Sequence, residues 1–244
     1  MLPRILEPEL MDTVDDAREY DAMDHVLVNM QFVTDLLAAV GWVEFDETHR
    51  QSSQTAVGLA ALDPPYGALR ILDLGAGTSQ IPIELARRAP DVHITAVDAA
   101  ESMLALAREN VTSAGLADRI ELVLADAKQL PFDSATFPVI ISNSIVHHIP
   151  EPRDVIAEAI RVTAPGGLLF HRDLARPQDE TELQRLVATY ASDANAYQQK
   201  LFSDSLRAAL TIDEMRELVA SFDFPPDTVR MTSDRHWTWS AGKV

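Results

Sequence analysis

The sequence predicts a doubly wound α/β domain built on a mostly parallel, seven-stranded sheet with an antiparallel C-terminal strand. Three observations carry this. Five short apolar runs alternate with amphipathic helical patterns between residues 70 and 171. The first run ends in a glycine-rich turn, and two further strand-like runs close the chain after Pro225-Pro226. Buried strands separated by helices imply a sheet covered on both faces, with its ligand beyond the strands' carboxyl ends.

Each element follows from its residues. Arg70-Ile-Leu-Asp-Leu74 is the first strand, and Ile81 to Arg88 reads as a helix. Val92 to Asp98 is the second strand, followed by a helix from Ser102 to Ala114. Ile120 to Ala125 is the third, Phe137 to Ser142 the fourth, Arg153 to Val162 a helix, and Gly166 to His171 the fifth strand. Residues 1–68 form a helical N-terminal lid, with an apolar stripe over Val26 to Val40, and residues 69–244 form the core. Between residues 177 and 224 lie three helical patterns, Glu180 to Tyr190, Ala196 to Leu210 and Ile212 to Phe222. They either cap the strand ends or pack as an outer layer. Val229 to Thr232 and His236 to Ala241 form the closing hairpin, whose alternation puts Trp237 and Trp239 together on one face, read as core.

Composition narrows the function. In 244 residues, 47% hydrophobic and 24% charged side chains describe a globular protein. The absence of cysteine excludes disulfides, thiolate metal sites and a cysteine nucleophile. Lys+Arg 20 against Asp+Glu 38 gives a net charge of −18, a field that opposes a nucleic-acid partner. No signal-peptide stretch opens the chain and no run reaches the ~18 apolar residues of a membrane span, so a cytoplasmic enzyme is expected.

The strongest chemical signal is Leu72-Asp-Leu-Gly75-Ala-Gly77-Thr-Ser-Gln80. Glycines between a strand and a helix N-terminus let backbone approach a ligand. Asp98 ends the next strand, where a carboxylate accepts from ribose hydroxyls, and Asp126 ends the third. Gln80 breaks the Gly-x-Gly-x-x-Gly pattern of a nicotinamide site, and the acid at Asp73 suits a cationic ligand better than a pyrophosphate.

With these motifs the sequence resembles the class I S-adenosylmethionine-dependent methyltransferases, in particular the small-molecule group that includes the ubiquinone/menaquinone C-methyltransferases, whose fold is Rossmann-like. The resemblance runs through Leu72 to Gly77, Val97-Asp98-Ala-Ala-Glu-Ser-Met103, Ala125 to Asp133, Val139 to His148 and Thr163-Ala-Pro-Gly-Gly-Leu-Leu. Glu19-Tyr20-Asp21-Ala-Met23-Asp24 is similar to the lid of the quinone enzymes, with Asp24 in place of Asn, and Ser79 replaces the third glycine of the first motif.

The resemblance implies S-adenosyl-L-methionine as cofactor, held by Tyr20, Asp73, Gly75, Ala76, Gly77, Asp98, Ala99, Met103, Asp126, Ala127 and Asn143. Plain alternatives are a turn role for Asp126 and core packing for Met103.

Transfer from a sulfonium needs alignment first, and a base only for an acceptor that is protonated. Candidate catalytic residues are His147, Asp173 and Tyr20; His25, His147, Arg172 and Arg176 are candidate acceptor contacts. Alternation after the fifth strand sends His171 and Asp173 to one side and Arg172 to the other. No Glu-x-x-His or His-x-x-x-His spacing marks a metal site, and none is predicted. The expected reaction is methyl transfer to a small-molecule acceptor. A non-methylating protein that binds the same cofactor and, less favoured, a dinucleotide oxidoreductase are the alternatives.

Overall fold

The computed structural model describes residues 2–7, 12–23, 25–41 and 69–243. The sheet order is β3-β2-β1-β4-β5-β7-β6, with strands β1 Leu69–Leu74, β2 Val92–Asp98, β3 Ile120–Leu124, β4 Phe137–Asn143, β5 Thr163–Leu174, β6 Val229–Met231 and β7 His236–Gly242. The first five are parallel to one another. β7 is antiparallel to β5, and β6 closes the edge antiparallel to β7. The chain reverses direction along the sheet between β1 and β4, which opens a crevice at their carboxyl ends.

Alternation along the strands sorts the core onto two faces. Leu72, Leu74, Ile140 and Leu169 pack with α5 (Arg153–Val162), α8 (Ile212–Ala220) and both tryptophans of β7. Ile71, Ile94, Ile141 and Phe170 pack under α2 (Val26–Ala39), α3 (Gln80–Arg88) and α4 (Glu101–Ser113). Trp237 and Trp239 are fully buried, as the β7 alternation requires. In the same way Arg172 emerges on the α2 face while His171 stands against Trp239, at 5.2 Å between ring centroids.

The segment after β5 divides its work. α8 belongs to the outer layer of the sheet. α6 (Glu180–Tyr190) and α7 (Ala196–Ala208) form a separate small core with Leu174 at the end of β5. Capping fixes where these helices begin: Asn195 and Thr211 each close a capping box with Gln198 and Glu214. No described helix is long and apolar enough to cross a membrane. About half of the proposed lid, including Asp24 and residues 42–68, lies outside the described residues.

Candidate functional site

The first turn of the crevice is built from backbone. Gly75 has φ +71° and Gly77 φ +53°, both in the left-handed region. A Cβ on Gly75 would meet Ile145 Cδ1 at 2.8 Å, so nothing larger fits there. The Gly75 and Ala76 amides donate to the Val97 carbonyl at 2.8 and 2.9 Å, folding the turn back over β2. Ser79, at the position where the resembling family has glycine, keeps a glycine-like φ of 62°.

Asp98 locks this turn to the next one. Its Oδ2 accepts from the Gly77 amide at 2.8 Å and its Oδ1 from the Ala100 amide at 2.9 Å. Burial raises the Asp98 pKa, against the pull of those amides. Asp73 is 3% exposed at the end of β1, and burial together with the nearby Asp98 raises its pKa well above the usual carboxylate range. Asp126 makes a tight turn, accepting from the Lys128 amide at 2.8 Å, with the Lys128 ammonium 3.1 Å away. Two desolvated carboxylates, Asp73 and Asp98, with the more exposed Asp126 on the same crevice, favour a cationic, hydroxyl-bearing ligand.

α1 (Val14–Asp21) lies across this crevice. Asp21 accepts from Gln80 Nε2 at 2.8 Å and Asn110 Nδ2 at 3.1 Å, pinning α1 to α3 and α4. Tyr20 thereby lines both halves of the crevice, and burial, followed by Asp98 and Asp73, pushes its pKa up to about 12. The larger half, of about 150 Å³, includes Asp98, Ala99, Met103, Asp126, Ala127 and Asn143 in its wall. The smaller contains Asp73, Ala76, His25 and Asn143. Asn143 Oδ1 is buried with no hydrogen-bond partner among the described residues, an acceptor available to a ligand's donor group. Every residue expected at the cofactor therefore lies on one continuous wall.

The acceptor-side expectations fare differently. Arg172 does not reach the crevice: its Nε donates to Thr238 Oγ1 at 2.8 Å and its Nη2 to Asp35 Oδ2 at 2.6 Å, between Phe32 and Phe170. Strand alternation turns it to the α2 face. Arg176 is spent on the Ala209 carbonyl at 3.0 Å and on Glu214, tying β5 to the start of α8. His147 is also absent from the crevice wall, where His148 stands instead. Val146–His148 is a 3₁₀ turn, in which successive side chains diverge by about 120°. That geometry sends His147 inward.

There His147 Nδ1 lies 2.5 Å from Asp173 Oδ1. Asp173 is fixed further by the Val146, His147 and Leu174 amides, at 2.6, 3.2 and 2.6 Å. Burial alone would lower the His147 pKa, but the Asp173 charge and hydrogen bond raise it. On the other side stands Glu7, its Oε1 3.4 Å from His147 Nε2 and 3.1 Å from His148 Nδ1. Nothing in the sequence flagged Glu7, because 140 residues separate it from its partners and no spacing pattern links them.

A family model described as a methyltransferase domain matches residues 71–167. The ubiquinone/menaquinone biosynthesis C-methyltransferase of Cereibacter sphaeroides is 37% identical over 106 residues, 43% of this chain and 42% of that protein. Over residues 71–167 the chain thus carries a methyltransferase domain, and it resembles the class I S-adenosylmethionine-dependent methyltransferases. The family's methyl donor, S-adenosylmethionine, matches the carboxylate-lined crevice. The 27-O-demethylrifamycin SV methyltransferase of Amycolatopsis mediterranei is 35% identical over 187 residues, 75% of this chain and 65% of that relative. A methyltransferase structure from Aquifex aeolicus shares the fold at TM-score 0.61 and 15% identity, over 95% of this chain and 99% of that one. The chain spans only about two fifths of the length of the first of these curated relatives.

Proposed function

We propose that this methyltransferase moves the methyl group of S-adenosylmethionine to a small-molecule acceptor and releases S-adenosylhomocysteine. One observation carries the reading: Asp73, Asp98, Asp126 and Asn143 line a single crevice beneath Tyr20. When bound, the donor supplies a methyl on a sulfonium, a leaving group that is already activated.

The chain's own residues then bind and align. Asp98 accepts from the two ribose hydroxyls while its own amide bonds hold it in place. Met103 and Ala99 lie against the adenine, and Asp126 with the Ala127 amide reads its edge. Gly75, Ala76 and Gly77 approach the methionine part, whose ammonium is neutralised by Asp73 and accepted by Asn143 Oδ1. Tyr20 closes the crevice from α1, excluding water as part of an N-terminal lid.

The acceptor enters near Asn143, which both halves of the crevice share, with His148 on the larger side and His25 on the smaller. His148 takes the place expected for His147, and His147 with Asp173 act behind it as positioning residues. The net charge of −18 supports a small molecule rather than a nucleic acid. α7 packs against the 3₁₀ turn that carries His148, and through it would shape acceptor choice. Incubation with methyl-labelled donor and a metabolite extract tests the reading: label should appear in a small organic product. Donor binding without transfer to any acceptor of a broad panel would favour a non-methylating role.

A further inference from the structure

Glu7, His147 and His148 bring three ligand atoms within 4.8 Å of one another beside the crevice. From this convergence we propose a divalent transition-metal site, of the zinc or cobalt type, formed by Glu7 Oε1, His147 Nε2 and His148 Nδ1. Three arguments carry it.

The spacing is that of a coordination sphere. Metal–ligand bonds of ~2.0–2.1 Å in a tetrahedron put ligand atoms about 3.3 Å apart. The Glu7 oxygen lies 3.4 and 3.1 Å from the two imidazole nitrogens.

The ring is oriented. Asp173, fixed by three backbone amides, stands 2.5 Å from His147 Nδ1 and so turns Nε2 toward Glu7. A cation satisfies all three donor atoms at once. A carboxylate behind a ligating imidazole is also the usual support of a metal-bound histidine.

The carboxylate is delivered by a built arm. The Leu2 and Ile5 amides donate to the Gln178 and Arg207 carbonyls at 3.0 and 3.2 Å. The Arg4 guanidinium donates to the Ala208, Pro150 and Ile149 carbonyls at 2.7, 3.1 and 2.9 Å. Glu7 is held in turn by Ser205 Oγ at 3.2 Å. Two imidazoles and one carboxylate suit zinc-like ions better than magnesium or calcium, which prefer all-oxygen shells. Three protein ligands leave a fourth position for water or an oxygen of a small molecule in the crevice.

The test needs neither methyl donor nor acceptor, so its outcome is separate from the methyl-transfer reading. Chelator-treated, tag-free full-length protein is titrated with Zn²⁺ by calorimetry and with Co²⁺ by visible absorption. Saturable binding of one ion per chain is expected, with the intense absorption of low-symmetry Co²⁺. Glu7→Gln and His148→Gln should each weaken binding at least tenfold with unchanged circular dichroism, and Asp173→Asn by about 10- to 100-fold. His93→Asn, on an exposed position of β2, should leave it unchanged. Absence of one-per-chain binding in the folded wild type, or binding indifferent to Glu7→Gln, would overturn the site and leave an ion-paired network.

Discussion

Asp98→Asn separates cofactor recognition from folding. The two Asp98 oxygens each already accept one amide, from Gly77 at 2.8 Å and Ala100 at 2.9 Å, and the ribose would add charge-assisted bonds. Asparagine keeps one acceptor, which can stay with Ala100. Its amino group then faces the Gly77 amide and one ribose hydroxyl. One charge-assisted bond is worth about 1.5–3 kcal/mol, so donor affinity should fall roughly 10- to 150-fold. Stability should behave differently. Burial raises the Asp98 pKa, so the charged form is costly in the folded, empty crevice. Removing that charge offsets the weakened Gly77 contact, and unfolding free energy should change by no more than about 1 kcal/mol. Calorimetric titration with S-adenosylmethionine, beside a urea melt, reads both quantities. An affinity loss under threefold, or one matched by unfolding, would refute the role of Asp98. The same desolvation predicts that wild-type affinity falls on acidification through a pKa above 3.8, as the carboxylate is protonated.

Other perturbations test neighbouring parts. Tyr20→Phe should leave the fold intact and lower turnover at limiting cofactor about 2- to 10-fold, the worth of one hydrogen bond; equal rates at saturating and limiting cofactor would remove that role. Gly75→Ala combines left-handed strain of ~1–2 kcal/mol with overpacking of ~1–3 kcal/mol against Ile145. Gly77→Ala should show the strain alone, since its nearest neighbour among the described residues is Tyr20 Cε1 at 3.8 Å. Equal urea midpoints for the two variants would contradict the geometry. His171 is buried with neither ring nitrogen partnered among the described residues, and burial pushes its pKa down from 6.5 to about 4. The unfolded chain therefore binds the extra proton between those values, and stability falls by about 3 kcal/mol as pH drops through that window. His171→Leu should flatten that part of the pH–stability curve, and an unchanged curve would show that His171 is not buried as a neutral ring.

Much of the architecture was legible because periodicity and punctuation agreed. The alternation of β7 placed both tryptophans inside, and α5 and α6 begin and end where their apolar patterns do. β5 begins earlier than the sequence suggests, at Thr163, because pairing with β4 extends through a bulge before Val139. The cofactor wall was legible because most of its residues sit at a strand end or in the turn after it, a position that local pattern defines, while Tyr20 on α1 and Met103 on α4 were reached through the family resemblance. The acceptor side was not. Arg172 and Arg176 are ligand-gripping types, but their partners Asp35, Thr238 and Glu214 come from distant segments. His147 and His148 exchange places because the 3₁₀ turn after β4 sends successive side chains about 120° apart. Glu7 depends on an arm whose anchors are backbone carbonyls, which leave no trace in side-chain pattern.

The central claim is that carboxylates at the tips of β1, β2 and β3, the first two of them desolvated, hold a cationic nucleoside donor. A crystal structure of the chain soaked with S-adenosylhomocysteine tests it most directly. The account predicts ribose oxygens on Asp98, the adenine between Met103 and Asp126, and the amino-acid end beside Asp73 and Asn143. A ligand bound elsewhere, or a crevice that instead takes a dinucleotide with its pyrophosphate on the Gly75–Gly77 turn, would contradict it.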